Sequence, residues 1–126
     1  MAYNAKEVWV PVDRAEHNGV ANNATTTVAP IKAGLGSVSR GLIHGCQLTV
    51  SASSGASHKA TVKVYSGTTT TYLHYEVTLD LNPNTQSSDT LATPIPFFEG
   101  ASYTITDVAG GGSKNYTIVF YVKGMA

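Results

Sequence analysis

The stretch Tyr72-Leu73-His74-Tyr75-Glu76-Val77-Thr78-Leu79-Asp80-Leu81 decides the fold class. Apolar or aromatic side chains occupy every second position from Leu73 to Leu81, and most positions between them are polar or charged. Successive side chains of a β-strand point to opposite faces, so this period of two predicts one face in a core and one face in water. The stretch is therefore the clearest amphipathic strand in the chain.

Similar alternation recurs on both sides of this strand. Residues 42–50 and 60–65 alternate firmly, and strand-like segments follow at 101–106 and 116–122. Turns rich in Gly, Ser and Asn separate them at spacings of roughly 8 to 15 residues, as in all-β domains. No stretch carries apolar residues at helical spacing over three turns. We therefore predict an all-β protein, an antiparallel β-sandwich of jelly-roll-like type with an extended N-terminal arm.

The N-terminal third has a weaker pattern. Residues 1–33 contain one short alternating stretch, 7–12, and then a polar bridge over 13–27 with several turn-forming residues. Pro30 restricts the piece that follows to a sheet edge or a strand end. We predict residues 1–33 as an N-terminal arm or edge segment and residues 34–126 as the β-sandwich domain. An arm that docks on a neighbour and an ordinary first hairpin both fit this pattern.

The composition restricts the classes of partner. The chain has 126 residues, enough for one domain with its own core. Lys plus Arg and Asp plus Glu balance at 8 each, and the basic residues are scattered, so we expect no nucleic-acid partner. Charged residues make up 13% of the chain, against about 25% in an average soluble domain. The surface is therefore either neutral and polar or partly covered by partner proteins.

The sequence also bears on compartment. Residues 1–7 lack the basic and then apolar pattern of a secretory signal, and no apolar run has the length of about 18 residues that a membrane helix needs. We expect synthesis in a cytoplasm, without export by the general secretory route, and no membrane partner. Cys46 is the single cysteine, which rules out an intrachain disulfide. A buried free thiol is the favoured state of Cys46, and an intermolecular disulfide is the alternative.

Candidate reactive groups are few. His44 with Cys46 and His74 with Glu76 form two i, i+2 pairs, but a metal site needs three or four converging ligands. The acidic residues lie in no calcium-binding loop, and the glycine-rich segment 110–114 lacks the spacing of a phosphate-binding loop. Cys46 lies on a predicted core face, unlike an activated nucleophile. We predict no catalytic, metal-binding or cofactor-binding residue, and therefore no enzyme.

Large apolar residues outside the predicted core are the candidate contacts with partners. An exposed tyrosine can anchor an interface or stack on a sugar, but it can equally pair with a neighbouring strand and do nothing more. Trp9 lies near the chain start and must be buried in its own core or in a neighbour. The predicted interface residues are Trp9, Val10, Val12, Ile31, Tyr72 and Tyr121.

Residues 40–124 resemble small β-sandwich proteins encoded among the structural genes of tailed bacteriophages. The shared segments are Gly-Leu-Ile-His-Gly-Cys-Gln-Leu-Thr-Val at 41–50, Ala-Thr-Val-Lys-Val-Tyr at 60–65, Pro-Ile-Pro-Phe-Phe-Glu-Gly at 94–100 and Tyr-Thr-Ile-Val-Phe-Tyr-Val at 116–122. These segments share a pattern and carry no functional residue that can be transferred.

The resemblance implies a protein of the virion. The leading hypothesis is a capsid decoration (cement) protein that binds the particle surface through the major capsid protein or other virion proteins. It would be a homo-oligomer, with a trimer favoured. The alternative is a tail or head-fibre module that binds a host receptor or carbohydrate through exposed tyrosines and Ser–Thr loops. A small cupin-like hydrolase is a third and weaker hypothesis.

Overall fold

The computed structural model describes residues 7–9, 13–21, 23–33, 36–37, 40–52, 59–81, 86–108 and 114–125. These residues form eleven strands and no helix. The described residues therefore contain no helix long and apolar enough to cross a membrane. The strands are β1 (Glu7–Trp9), β2 (Asp13–Val20), β3 (Ala29–Pro30), β4 (Lys32–Ala33), β5 (Gly36–Ser37), β6 (Gly41–Ala52), β7 (Lys59–Ser66), β8 (Leu73–Asp80), β9 (Gln86–Phe97), β10 (Ala101–Asp107) and β11 (Lys114–Met125).

Eight of the strands, β2, β3 and β6 to β11, pair as one long antiparallel ribbon. The chain turns back between β7 and β8, and these two strands pair with each other. Moving outward from that turn, β6 pairs with β9, β3 pairs with β10, and β2 pairs with β11. Strands of the first half of the chain therefore pair in reverse order with strands of the second half.

The ribbon is rolled into two sheets. Additional pairing of β11 with β6 and of β10 with β7 produces the strand orders β2-β11-β6-β9 and β3-β10-β7-β8. Strand β1 lies beside β2 along the same edge of β11, and β4 and β5 form a separate small ladder. The predicted all-β antiparallel sandwich is confirmed.

Apolar side chains from both sheets fill the space between them. Complete burial of one such side chain stabilises the fold by about 1.5–3 kcal/mol. The fully buried members of the core with no exposed surface are Ile43, Cys46, Leu48, Ala60, Val62, Val64, Leu81, Ile105, Tyr116, Ile118 and Phe120.

The polar bridge predicted over residues 13–27 is wrong for its first part, which is strand β2. Arg14, Glu16 and Asn18 are exposed, whereas Ala15 and His17 are half-buried. An edge strand with small or polar side chains on both faces gives no clear alternation, and its pairing with β11 comes from backbone hydrogen bonds. The division at residue 33 stays a prediction.

The first third of the chain also contributes to the core. Val20 is 8% exposed and Ile31 is 4% exposed, and both pack in the main cluster. Strands β1, β2 and β3 lie at the edges of the two sheets, so this part of the chain supplies edge strands as well as core side chains.

A bulge in β6 fixes the position of Cys46. On the β11 side, Tyr121 pairs with Gly45 and Val122 pairs with Ile43, so one residue of β6 is left over. Gly45 has φ of +149°, and a Cβ added there would lie 2.1 Å from the carbonyl oxygen of Asp89. Only glycine has both this backbone conformation and this close approach to β9.

Candidate functional site

Two turns are joined at one end of the sandwich. The turn between β7 and β8 is closed by the Ser66 N–H, which donates to the Tyr72 carbonyl oxygen at 2.9 Å. The Gly67 N–H then donates to the carbonyl oxygen of Gly100, in the turn between β9 and β10, at 3.0 Å. The Ser102 hydroxyl donates to the Gly67 carbonyl oxygen at 2.5 Å. These bonds hold the two turns together as one surface.

This surface carries most of the exposed large apolar side chains of the described chain. Tyr72 is 69% exposed, Leu73 is 51% exposed and Phe98 is 68% exposed. We call these three residues the turn patch. The fourth such residue, Val108, is 41% exposed and lies at the opposite end, where its N–H donates to the Lys59 carbonyl oxygen. Clustering of apolar side chains on one surface marks interaction sites more than scattered single residues do.

Two oppositely charged residues lie beside the turn patch. Gly41 pairs with Phe97, so Arg40, which directly precedes Gly41, and Phe98, which directly follows Phe97, lie just beyond the same end of the β6–β9 ladder. Glu99 directly follows Phe98. Both charged residues are exposed. The patch is therefore an apolar centre flanked by exposed residues of both charge signs.

The predicted interface residues fall in different environments. Tyr72 lies in the turn patch. Trp9 lies in β1, in register with Lys123, at the same end of the molecule. Tyr121 is half-buried in β11, and Ile31 is buried in the core of its own chain, so neither residue is part of the turn patch. Val10 and Val12 are outside the described residues.

Sequence reasoning missed Leu73 and Phe98. Alternation assigns Leu73 to the buried face of β8, but the register between β7 and β8 shifts there: Val64 pairs with Tyr75 and Tyr65 pairs with Leu73. Leu73 is thereby released from the core. The sequence did contain a signal for Phe98: it is the second of two adjacent phenylalanines at a predicted strand, and adjacent strand residues face opposite sides, so both cannot face the core.

A second cluster is fully buried between β10 and β11. The Lys114 ammonium lies 2.9 Å from Oδ1 of Asp107, and neither side chain has exposed surface. The Tyr116 hydroxyl donates to the same oxygen at 2.6 Å, and the Asn23 N–H donates to Oδ2 at 3.0 Å. The carboxylate therefore has three donors and one positive charge. This cluster fixes the two strand ends and offers nothing to solvent.

The pKa values of this cluster follow from its contacts. Burial alone raises the pKa of Asp107, but hydrogen bonds from Tyr116, Lys114 and the Asn23 backbone outweigh it, so the pKa lies below its usual value. Burial and the hydrogen bond to Asp107 raise the pKa of Tyr116. The Asp107 carboxylate is thus held ionised and the Tyr116 phenol is held neutral. The cluster therefore stabilises the fold through fixed charges and hydrogen bonds.

The single thiol lies beside a tyrosine and a carboxylate. The Tyr75 hydroxyl donates to the Asp89 carboxylate, and Cys46 pairs with Asp89 across β6 and β9. Burial and the nearby negative charge of Asp89 raise the pKa of Cys46 to about 12. The expected buried free thiol is confirmed. Cys46 is therefore a protonated thiol at neutral pH, whereas the nucleophile and the metal ligand is the thiolate.

An open groove of about 610 Å³ lies between β2 and the segment that leads to β3. At this edge, Nε2 of His17 and the Tyr103 hydroxyl share a hydrogen bond of 2.6 Å, and burial lowers the pKa of His17. The Thr26 hydroxyl accepts from the Ile105 N–H. These polar groups are engaged in holding the edges together. Among the described residues, His, Cys, Asp and Glu form no group of three that could hold a metal ion.

Comparison with known proteins gives structural likenesses alone. No protein-family model and no curated protein matches this sequence. One similar solved structure is the acidic stable capsid structure of Helicobacter pylori bacteriophage KHP30, with 16% identity over 94% of this chain and 93% of that chain and a TM-score of 0.49. Another is a marine algae virus of the order Picornavirales, with 7% identity over 97% of this chain and 71% of that chain and a TM-score of 0.38.

Proposed function

We propose that this chain is a structural protein of a tailed-phage virion, and more specifically a capsid decoration protein that binds and stabilises the particle surface. The observation that carries the proposal is the strand order. Eight strands pair as a ribbon and roll into the sheets β2-β11-β6-β9 and β3-β10-β7-β8. Strand orders of this kind support a jelly roll, the fold of viral capsid and lectin domains and of cupins.

The space between the two sheets distinguishes a structural protein from an enzyme with this fold. A jelly-roll enzyme of the cupin type places its reactive groups in a cavity between the sheets, but here that space is packed with side chains such as Val62, Ile105 and Ile118. A fold alone does not determine function, so the function must lie in a surface. The outer surface is what this chain presents to other molecules.

The surface supports contacts with proteins. Charged residues make up 13% of the chain, its formal net charge is zero, and large apolar side chains are exposed at one end. Such a surface is poorly protected against association, as expected of a protein that works in an assembly. The sequence resemblance over residues 40–124 supports a virion as that assembly. The proposed partners are the major capsid protein or other virion proteins, after synthesis in the host cytoplasm.

A fibre or tail module that binds a host glycan is the second candidate. The observation that favours it is the exposure of two aromatic rings, Tyr72 and Phe98, on joined turns, because aromatic rings can stack on sugars. The two candidates differ in abundance on the particle, since decoration proteins cover a capsid lattice and fibre modules occupy few sites.

Quantitative mass spectrometry of gradient-purified particles tests the proposal. With labelled peptides of this chain as standards, we expect the chain in a fixed ratio to the major capsid protein. Particles stripped of the chain should lose heat stability and regain it when the recombinant chain is added back. A low copy number would favour the fibre module, and absence of the chain from purified particles would refute both candidates.

A further inference from the structure

We infer that the turn patch is a contact between copies of this chain, which pack against one another around a symmetry axis at this end of the sandwich. The inference deepens the proposed structural function and rests on it only for the expectation that many copies meet on one particle. The occupant of the patch is a second copy of the same surface.

The patch is formed before any partner arrives. Backbone hydrogen bonds join Gly67 to Gly100 and close the turn from Ser66 to Tyr72. Because these bonds already fix the backbone of both turns, binding need not order a loop, and more of the side-chain burial appears as affinity. Tyrosine and phenylalanine are also the side chains that are enriched at interface centres.

The exposed apolar area is that of an interface centre. An aromatic side chain buries roughly 150–250 Å² when fully covered. With Tyr72 69% exposed, Phe98 68% exposed and Leu73 51% exposed, the patch presents roughly 300–400 Å² of apolar surface. One side of a standard interface buries about 800 Å², so the patch supplies close to half of one side, and polar neighbours must supply the rim.

The charges favour the same surface as the occupant. Arg40 and Glu99 are both exposed; Glu99 directly follows Phe98, and Arg40 lies just beyond the same end of the β6–β9 ladder. A patch that meets a strongly acidic or basic partner is flanked by charge of one sign, whereas exposed residues of both signs flank this patch. In the proposed contact, rotation of a second copy about the axis places Arg40 of one copy against Glu99 of the next. The surface is thus complementary to itself in charge as well as in its apolar centre.

Sedimentation velocity of the full chain and matched variants tests the inference. We expect the wild-type chain to form a discrete oligomer, and Leu73→Ser with Phe98→Ser to weaken its association constant at least about tenfold, because these exposed side chains contribute apolar area to the contact and little to the fold. The matched control is Val108→Ser, which removes an exposed apolar residue at the opposite end and should leave association unchanged. Circular dichroism checks that each variant is folded.

A charge exchange tests the geometry separately. Glu99→Arg alone and Arg40→Glu alone should each weaken association several-fold, and the double exchange should restore it toward wild type. A wild-type chain that is monomeric at roughly 100 μM, or an oligomer that Leu73→Ser with Phe98→Ser leaves intact, would overturn the inference. If the chain is monomeric but abundant on particles, the inference about the turn patch is refuted and the proposed function is supported. If the chain forms an oligomer that depends on the turn patch but is absent from particles, the proposed function alone is refuted.

Discussion

Replacement of Lys114 by methionine perturbs the most deeply buried charge pair of the described chain. The change keeps the apolar stem of the side chain and removes the ammonium that lies 2.9 Å from Oδ1 of Asp107. Asp107 is then left without exposed surface and without its positive partner, although the Tyr116 hydroxyl and the Asn23 N–H still donate to it. Removing one partner of a buried pair costs about 3–5 kcal/mol, and the two remaining donors place the expected loss near the lower limit, about 3 kcal/mol.

The double variant Asp107→Asn with Lys114→Met distinguishes a buried-charge penalty from a loss of packing. The neutral amide at position 107 has one oxygen, which can accept from the Asn23 N–H, and its NH2 can donate to the Tyr116 hydroxyl oxygen, so no charge is left unpaired. We therefore expect the double variant to be more stable than Lys114→Met alone by at least about 1 kcal/mol.

Urea denaturation of the wild type, both single variants and the double variant measures these differences in the free energy of unfolding. The matched control is Arg14→Met, which breaks a pair at 3.3 Å whose side chains are 66% and 59% exposed. That loss should stay within about 0.5 kcal/mol, because water screens exposed pairs. A cost below about 1 kcal/mol for Lys114→Met, or a double variant whose cost equals the sum of the two single costs, would refute the reasoning.

Three further predictions follow from the same contacts. Because the pKa of Asp107 is lowered in the folded chain, its ionised form stabilises the fold at pH values above the unfolded pKa of about 3.9. This contribution to the free energy of unfolding is lost as the pH falls through the folded pKa. Urea titrations between about pH 2 and pH 5 should therefore show a shallower loss of stability for the double variant Asp107→Asn with Lys114→Met than for wild type. Gly45→Ala should reduce the free energy of unfolding by more than about 3 kcal/mol or abolish folding, because its Cβ would lie 2.1 Å from the carbonyl oxygen of Asp89. Gly19→Ala is the control: Gly19 has φ of +68° and open space around its Cβ, so the loss should be about 1 kcal/mol. Equal losses in thermal unfolding would contradict the bulge geometry. Cys46, with its pKa raised to about 12, should resist a thiol reagent at pH 8 in the native chain and react fully in urea, and rapid native labelling would show that the thiol is accessible.

The parts of this fold that sequence could predict are those that depend on local alternation. Leu79 and Leu81 are buried while Thr78 and Asp80 are exposed, as the period of two requires. The pairing of β2 with β11 could not be predicted, because the ladder joins residues about one hundred positions apart and β2 lacks a clean apolar face.

The sites depend on contacts that sequence does not encode locally. Lys114 follows a glycine-rich segment, where a solvated lysine is the ordinary expectation, and it is buried only because the fold brings Asp107 and Tyr116 to it. Leu73 is exposed because of a register shift that no periodicity reveals. Tyr72 was identified because alternation assigns it to the strand face opposite the predicted core residues.

The most direct test of the central claim, that this β-sandwich acts by packing against other proteins of a particle, is a count of its copies in purified virions. We expect the chain to remain with the particles through gradient purification, in a constant ratio to the major capsid protein. Its recovery solely in the soluble fraction of infected cells, with none on the particles, would contradict the account.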